Sequence, residues 1–310
     1  MAQMRTLPNV EIVGYWDDDA ERLARLAPVF GCPAFSDVDE LLALCDAVTV
    51  CSENVGHRAL TERAAKAGKH VLCEKPLATN PDDAKAMVDA CAAAGVQLMT
   101  AFPCRFSAPF GQLLTAVQAG ELGEILAVRG TNRGQCPGGW FIEKEKSGGG
   151  AVTDHAVHVT DLLRVLLSSE VESVYCELDN GILHGDFEDT GFLTLNFENG
   201  VFATLDSSWS RPKSFPTWGD VTLGVTGTRG VVELDMFAQE SVLYSEKSGR
   251  GANQGWGSSI DAGLVAAFVG AIENGTAVPV TGVDGLRAVE VVEAAYESVR
   301  TRQVAGVRRR

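Results

Sequence analysis

The chain has 310 residues, 45% of them hydrophobic and 22% charged, with a formal net charge of −15. That length can bury a sizeable core and leaves room for two domains. No apolar run approaches the ~20 residues of a membrane span, and an acidic surplus repels the phosphates of nucleic acid, so neither membrane nor nucleic acid is expected as a partner.

The opening Met-Ala-Gln-Met-Arg-Thr-Leu-Pro lacks the apolar centre of a secretory signal, which predicts a cytoplasmic chain. Eight scattered cysteines form no Cys-x-x-Cys pair, so neither a zinc site nor a redox pair is suggested, and buried thiols in a reducing compartment are expected.

Residues 10–16 read as a strand, followed by a helix over 20–27, a short strand near Ala34 and Phe35, a helix over 38–44 and a buried strand over 47–51. A helix from about His57 leads into a strand over 70–73, and a helix over 81–94 leads into a strand over 97–101. Strands alternating with helices of these lengths predict a doubly wound parallel sheet with right-handed crossovers. After Arg105 the texture changes. A helix over 109–119 precedes a strand over 125–129, and a glycine-rich loop opens a long helix over 151–167. Strands over 171–178, 190–196, 201–208, 221–225 and 231–234 follow, with hairpin turns at Glu198-Asn199-Gly200 and at Gly227 to Gly230. A largely antiparallel sheet is expected there, closed by helices over 260–273 and 285–300. The fold class is therefore α/β, with a Rossmann-like domain over 1–103 and an α+β domain with an open sheet over 104–310.

Three places carry chemistry. Lys75 ends an apolar run and precedes Pro76, whose ring disfavours the helical region for the residue before it, so the lysine is aimed by the backbone at the carboxyl end of a strand. Asp17 directly follows the first strand. There it either binds the ribose hydroxyls of a dinucleotide, favouring NAD over NADP, or caps the next helix as Asp18 and Asp19 also can. In Gly148-Gly149-Gly150-Ala151-Val152-Thr153-Asp154-His155-Ala156-Val157-His158, Asp154 and His158 stand at i, i+4 on one helix face. A carboxylate one turn from an imidazole can orient it as a general base, or the pair can simply stabilise the helix. His155 points roughly 100° away and reads as a packing or substrate-shell residue. One histidine and one carboxylate on a face do not make a metal site, so none is expected. Arg105, Arg133, Trp140 and Arg211 are candidate pocket-lining groups, with surface ion pairs as the alternative. His57 and His184 show no pattern.

Gly68 to Ala78, reading AGKHVLCEKPLA from Ala67, together with GGGAVTDHAVHVTDLLRVL and the closing GLRAVEVVEAAYESVRT, resembles the Gfo/Idh/MocA oxidoreductases over nearly the whole chain. The resemblance implies a Rossmann domain followed by an α/β domain whose open sheet supplies substrate contacts and a dimer or tetramer interface. It implies NAD as cofactor and a sugar, cyclitol or related polyol as substrate. Lys75, Asp154 and His158 become the catalytic group, with Lys75 near the nicotinamide and His158 as base for the substrate hydroxyl. Asp17, Asn54, Glu74 and Lys75 are implied to hold the cofactor, and Arg105, Trp140 and His155 the substrate.

The chain departs from that pattern at its start. No Gly-x-Gly-x-x-Gly turn is present, and the resemblance implies that roughly 20 to 25 residues of the first βαβ unit are missing before Met1. An internal start, a gap filled by another segment, or loss of ordinary cofactor binding each account for this. A non-catalytic binding or assembly protein, or a redox-assisted lyase or glycosidase with tightly held NAD, are the competing functions.

Overall fold

The computed structural model describes residues 1–247, 249–255, 257 and 259–310. Its first part contains β1 (Tyr15–Trp16), α1 (Ala20–Phe30), β2 (Ala34–Phe35), α2 (Val38–Leu44), β3 (Ala47–Val50), α3 (His57–Lys66), β4 (His70–Cys73), α4 (Pro81–Ala94) and β5 (Leu98–Thr100). The local signals act as their chemistry dictates. Asp19 caps α1 by accepting from the amides of Glu21 and Arg22, and Gly31 ends it in the left-handed region. Asn80 caps α4 ahead of Pro81, whose missing N–H costs nothing at a first helical position.

β3, β4 and β5 form a parallel sheet in register Ala47↔His70 and Val71↔Leu98. β1 and β2 pair in parallel as a separate two-stranded sheet. The expected continuous sheet is thus divided: among the described residues no ladder joins β1 to β3. The strand read over 10–16 shrinks to its last two residues for the same reason, because β1 has a neighbour on one side only.

The second part contains α5 (Ala108–Gln118), β6 (Ile125–Gly134), α6 (Lys144–Ser147), α7 (Val157–Leu167), β7 (Val171–Asp179), β8 (Thr190–Phe197), β9 (Phe202–Asp206), β10 (Gly219–Gly227) and β11 (Val231–Asp235). Then come a hairpin of β12 (Glu240–Ser245) and β13 (Arg250–Gly255), α8 (Ile260–Asn274), α9 (Gly282–Thr301) and β14 (Ala305–Gly306). Seven strands make one sheet in the order β11-β10-β6-β9-β8-β7-β14, antiparallel except for β6 beside β9. β6 runs five residues beyond the strand read from sequence, paired along its length with β10.

Helices cover one face of this sheet, and the core runs from Leu195, Ala203 and Leu223 of the strands to Leu162 and Leu163 of α7 and Ala295 of α9. α9 also sends Leu286 and Val289 into the core of the first part, beside Val71 and Met87. One helix therefore fastens both sheets, so residues at the end of β4 are held against residues at the start of α7.

Candidate active site

The end of β4 carries the chain into Glu74, Lys75 and a cis Lys75–Pro76 bond. The Lys75 ammonium is hydrogen-bonded and ion-paired to the Asp154 carboxylate and lies 3.1 Å from the Asp154 carbonyl. Asp154 sits in a π-helical turn, Val152–Ala156, that leads into α7. That turn is built by close approach: a Cβ on Gly149 would lie 2.1 Å from the Tyr296 hydroxyl, and one on Gly150 2.1 Å from the Glu188 carbonyl. Glu188 accepts from the Gly150 amide at 2.7 Å and from the Tyr296 hydroxyl at 2.6 Å, and Tyr296 meets Thr153 at 2.7 Å. These bonds set the turn that presents Asp154.

The π turn alters the pairing expected from α-helical spacing. Asp154 does not hydrogen-bond His158. Its second oxygen lies 3.3 Å from His155 Nε2 and accepts from Trp209 Nε1 at 3.1 Å. His155, expected to point away, is instead the neighbouring imidazole, because the wider turn changes the angle between successive side chains. His158 lies edge-on to Phe102, with ring centroids 6.0 Å apart, and its Nδ1 has no hydrogen-bond partner.

A cavity of about 540 Å³ opens over Lys75, Asp154, His155 and His158. Its size suits a small-molecule site. Burial alone would raise the Asp154 carboxyl, but Lys75 and His155 outweigh it and hold the group well below the usual carboxylate range. Burial, with Lys75 and His155 adding to it, pushes the His158 imidazole well below its ordinary value despite Asp154. The floor thus combines an ion-paired ammonium, an ionised carboxylate and a neutral imidazole with an unfilled nitrogen.

Other expected site residues fall elsewhere. Arg105 does not line the cavity: it forks onto Asp161, which has 0% exposed surface, and reaches Asp284 at 3.0 Å and the Pro279 carbonyl at 3.1 Å. The reason is chemical, since a buried carboxylate in the middle of α7 demands a guanidinium. Trp140 stacks behind Phe141, centroids 3.9 Å apart, and Phe141 is the ring that faces the cavity. Arg133 does line it and binds Asp220 at 3.0 Å, while Arg211 reaches the same carboxylate from outside the lining.

Toward the cofactor end, Asp17 stands at the close of β1 as expected, yet it accepts from Arg22 Nε at 2.6 Å and from the Asp19 amide at 2.9 Å. Slight burial opposes ionisation, and the Arg22 bond overrides it and lowers this carboxyl. Asn54 is buried and donates to the Ser147 carbonyl at 2.8 Å, bridging the two parts of the chain. Glu74 does not line the cavity; burial raises its carboxyl, which accepts from the Lys75 amide at 3.4 Å. His57, without pattern in the sequence, is buried with ring nitrogens 3.0 Å from the Pro76 carbonyl and 3.2 Å from that of Ser52. It ties the Lys75–Pro76 loop to the loop after β3.

Sequence reasoning missed Trp209, Glu188 and Tyr296, which belong to no motif and gain meaning only from what they touch. Trp218, in the loop before β10, and Asp220, on β10 itself, were missed too, because spacing does not give their contacts. Among the described residues no three His, Cys, Asp or Glu side chains converge as metal ligands do, and no helix is long and apolar enough to cross a membrane.

A nicotinamide dinucleotide fits part of this arrangement. His158, whose Nδ1 has no hydrogen-bond partner, and Lys75 line one cavity, and Asp17 closes β1 where a ribose is bound in such folds. No glycine-rich turn for the pyrophosphate occurs in the sequence.

Residues 1–102 match the oxidoreductase family with an NAD-binding Rossmann fold, and residues 110–233 match the GFO/IDH/MocA C-terminal domain. The chain is 30% identical over 311 residues to the 1,5-anhydro-D-fructose reductase of Ensifer adhaerens, covering 96% of this chain and 91% of that protein. It is 31% identical to the myo-inositol 2-dehydrogenase of Thermotoga maritima, over 70% of this chain and 65% of that one. Among solved structures it resembles GenD2 from gentamicin A biosynthesis, in complex with NAD, at a TM-score of 0.90 and 26% identity, covering 99% of this chain and 92% of that chain. The chain belongs to the GFO/IDH/MocA family of NAD-binding oxidoreductases.

Proposed function

We propose that the protein oxidises a secondary hydroxyl of a sugar, cyclitol or related polyol with NAD, residues 1–103 serving the cofactor and 104–310 the substrate. The observation that carries this reading is the meeting of Lys75, Asp154 and a neutral His158 at the floor of one cavity. His158 takes the hydroxyl proton, which a neutral imidazole can do and an imidazolium cannot. Lys75 favours the developing alkoxide oxygen, and Asp154 holds the ammonium in place. NAD, when bound, supplies the hydride acceptor at nicotinamide C4. Asp17 is the candidate for its ribose, with Asn54 and Glu74 fixing the loops around it rather than reaching into the cavity.

Names of the relatives support the substrate class, since they act on an anhydro sugar and on inositol. Absorbance at 340 nm across a panel of sugars and cyclitols tests it: NADH formation with at least one is expected, and none with any overturns the reading. The divided sheet favours a second reading, a non-catalytic binding or assembly protein that has lost ordinary cofactor binding. Isothermal titration with NADH separates the two, because only the second expects no binding.

The protein is further proposed to work in the cytoplasm, where eight unpaired cysteines persist as thiols, and to pair with a second copy. The outer face of the seven-stranded sheet exposes Phe192, Phe202 and Val231 around the Arg129–Glu233 ion pair, and a two-fold partner can cover both the apolar rings and the charges. Sedimentation of the protein and of a Phe192→Asp, Phe202→Asp variant tests this; an unaltered monomer in both overturns it.

A further inference from the structure

Trp218 is 59% exposed, while Trp209 in the same region is 2% exposed. A large indole left in water forgoes one of the biggest hydrophobic gains a side chain offers, so its position calls for a reason. Its place supplies one, because Trp218 lines the cavity above Lys75 and His158, together with Phe141 and Phe237.

The indole is joined to the reacting end by a continuous wall. A Cβ built on Gly134 would lie 2.6 Å from His155 Cε1 and 3.6 Å from Trp218 Nε1, so no side chain separates the two rings. His155 in turn touches Asp154, the partner of Lys75. Arg133 and Asp220 add a hydrogen-bonding pair beside the indole. The cavity therefore has a polar floor where the chemistry resides and a mouth where the Trp218, Phe141 and Phe237 rings stand beside the Arg133–Asp220 pair.

The aromatic rings give a hydroxyl no strong partner but can stack on the C–H face of a sugar ring, and one ring seated at the floor does not also cover an indole at the mouth. A glycoside presents the C–H face of a second ring, or an apolar aglycone, to the indole while its first ring occupies the floor. We infer that Trp218 is the platform of a second substrate subsite, so that the molecule oxidised is a glycoside rather than a free monosaccharide. The inference rests on the dehydrogenase reading above and specifies its substrate class.

The test compares phenyl α- and β-glycosides of glucose, galactose and mannose with the free sugars, using the full chain, NAD and absorbance at 340 nm. The wild type is expected to show a lower KM for at least one glycoside than for its free sugar. Trp218→Ala raises the glycoside KM relative to the free-sugar KM by roughly three- to tenfold, the worth of an aromatic contact, and Trp218→Phe restores most of it. Equal KM changes for glycoside and free sugar, or a wild-type preference for free sugars, overturn the subsite and leave the dehydrogenase reading standing. Calorimetric titration of the same glycosides gives a readout without turnover. Binding weakened by Trp218→Ala in a protein that forms no NADH supports the subsite and overturns the dehydrogenase. Neither turnover nor binding overturns both.

Discussion

The Lys75 ammonium and the Asp154 carboxylate, 79 residues apart in sequence, form a buried ion pair where the parallel sheet of the first part meets the start of α7. The pair couples stability to the site. Side-chain exposures of 18% and 8% mean that neither charge is well solvated if the other is removed.

Lys75→Met therefore lowers stability as well as activity. Removing one partner of a buried pair costs about 3–5 kcal/mol, and loss of the stabilising charge lowers kcat by about 100- to 1,000-fold. Urea unfolding and NADH formation measure the two effects. A variant as stable as the wild type contradicts the buried pair.

His158 sets the pH response. Its folded value lies below its unfolded value of about 6.5, so the folded state binds fewer protons in the interval between them. The stability contribution is present above pH 6.5 and is lost as pH falls from there through the folded value. Asp161, pushed up by burial to about 6 despite Arg105, acts with the opposite sign over the range from about 6 down to its unfolded value. The His158→Gln variant isolates the histidine: its urea midpoint falls less than the wild type's between pH 7 and pH 5. The acid limb of wild-type kcat/KM is expected below the ordinary histidine value of about 6.5. A midpoint near 6.5 contradicts a neutral, desolvated imidazole.

Arg105 separates packing from substrate contact. Arg105→Ala strands the Asp161 carboxylate and weakens the hold on Asp284, so a loss of about 3–5 kcal/mol is expected. Substrate KM in the folded variant stays within about twofold, since the guanidinium does not line the cavity. A large rise in KM without loss of stability returns Arg105 to the substrate site.

Asp17 and Arg22 test the ribose site proposed for the cofactor. The double variant Asp17→Ala, Asp18→Ala removes the acid proposed for the ribose and releases the Arg22 guanidinium from its two short ion pairs, at 2.6 and 2.9 Å. A free arginine at this position accommodates a 2′-phosphate, so the NADP-to-NAD ratio of kcat/KM is expected to rise by about tenfold or more. Steady-state kinetics with both cofactors decide it, and an unchanged ratio places the ribose elsewhere.

Much of this was legible along the chain. Alternating strands and helices up to Thr100, the change of texture after Arg105 and the hairpins at Gly200 and Gly227 depend on local periodicity and turn chemistry, and each has its element in the structure. The Asp154–His158 relationship was misjudged because spacing presumes an α-helix, whereas tertiary contacts from Tyr296 and Glu188 impose a π turn. Arg105 and Trp140 were misplaced because a charged or aromatic residue type does not reveal which neighbour it meets.

The sequence by itself determined the α/β architecture and the family, and it singled out Lys75, Asp154 and His158 as the residues proposed for the chemistry, since these follow from local patterns and motifs a few residues long. The tertiary structure alone decided that Asp154 serves Lys75 and His155, that Arg105 belongs to packing, and that Trp218 is left exposed at the cavity mouth. Those outcomes depend on burial and on contacts between residues tens of positions apart, which no local pattern encodes.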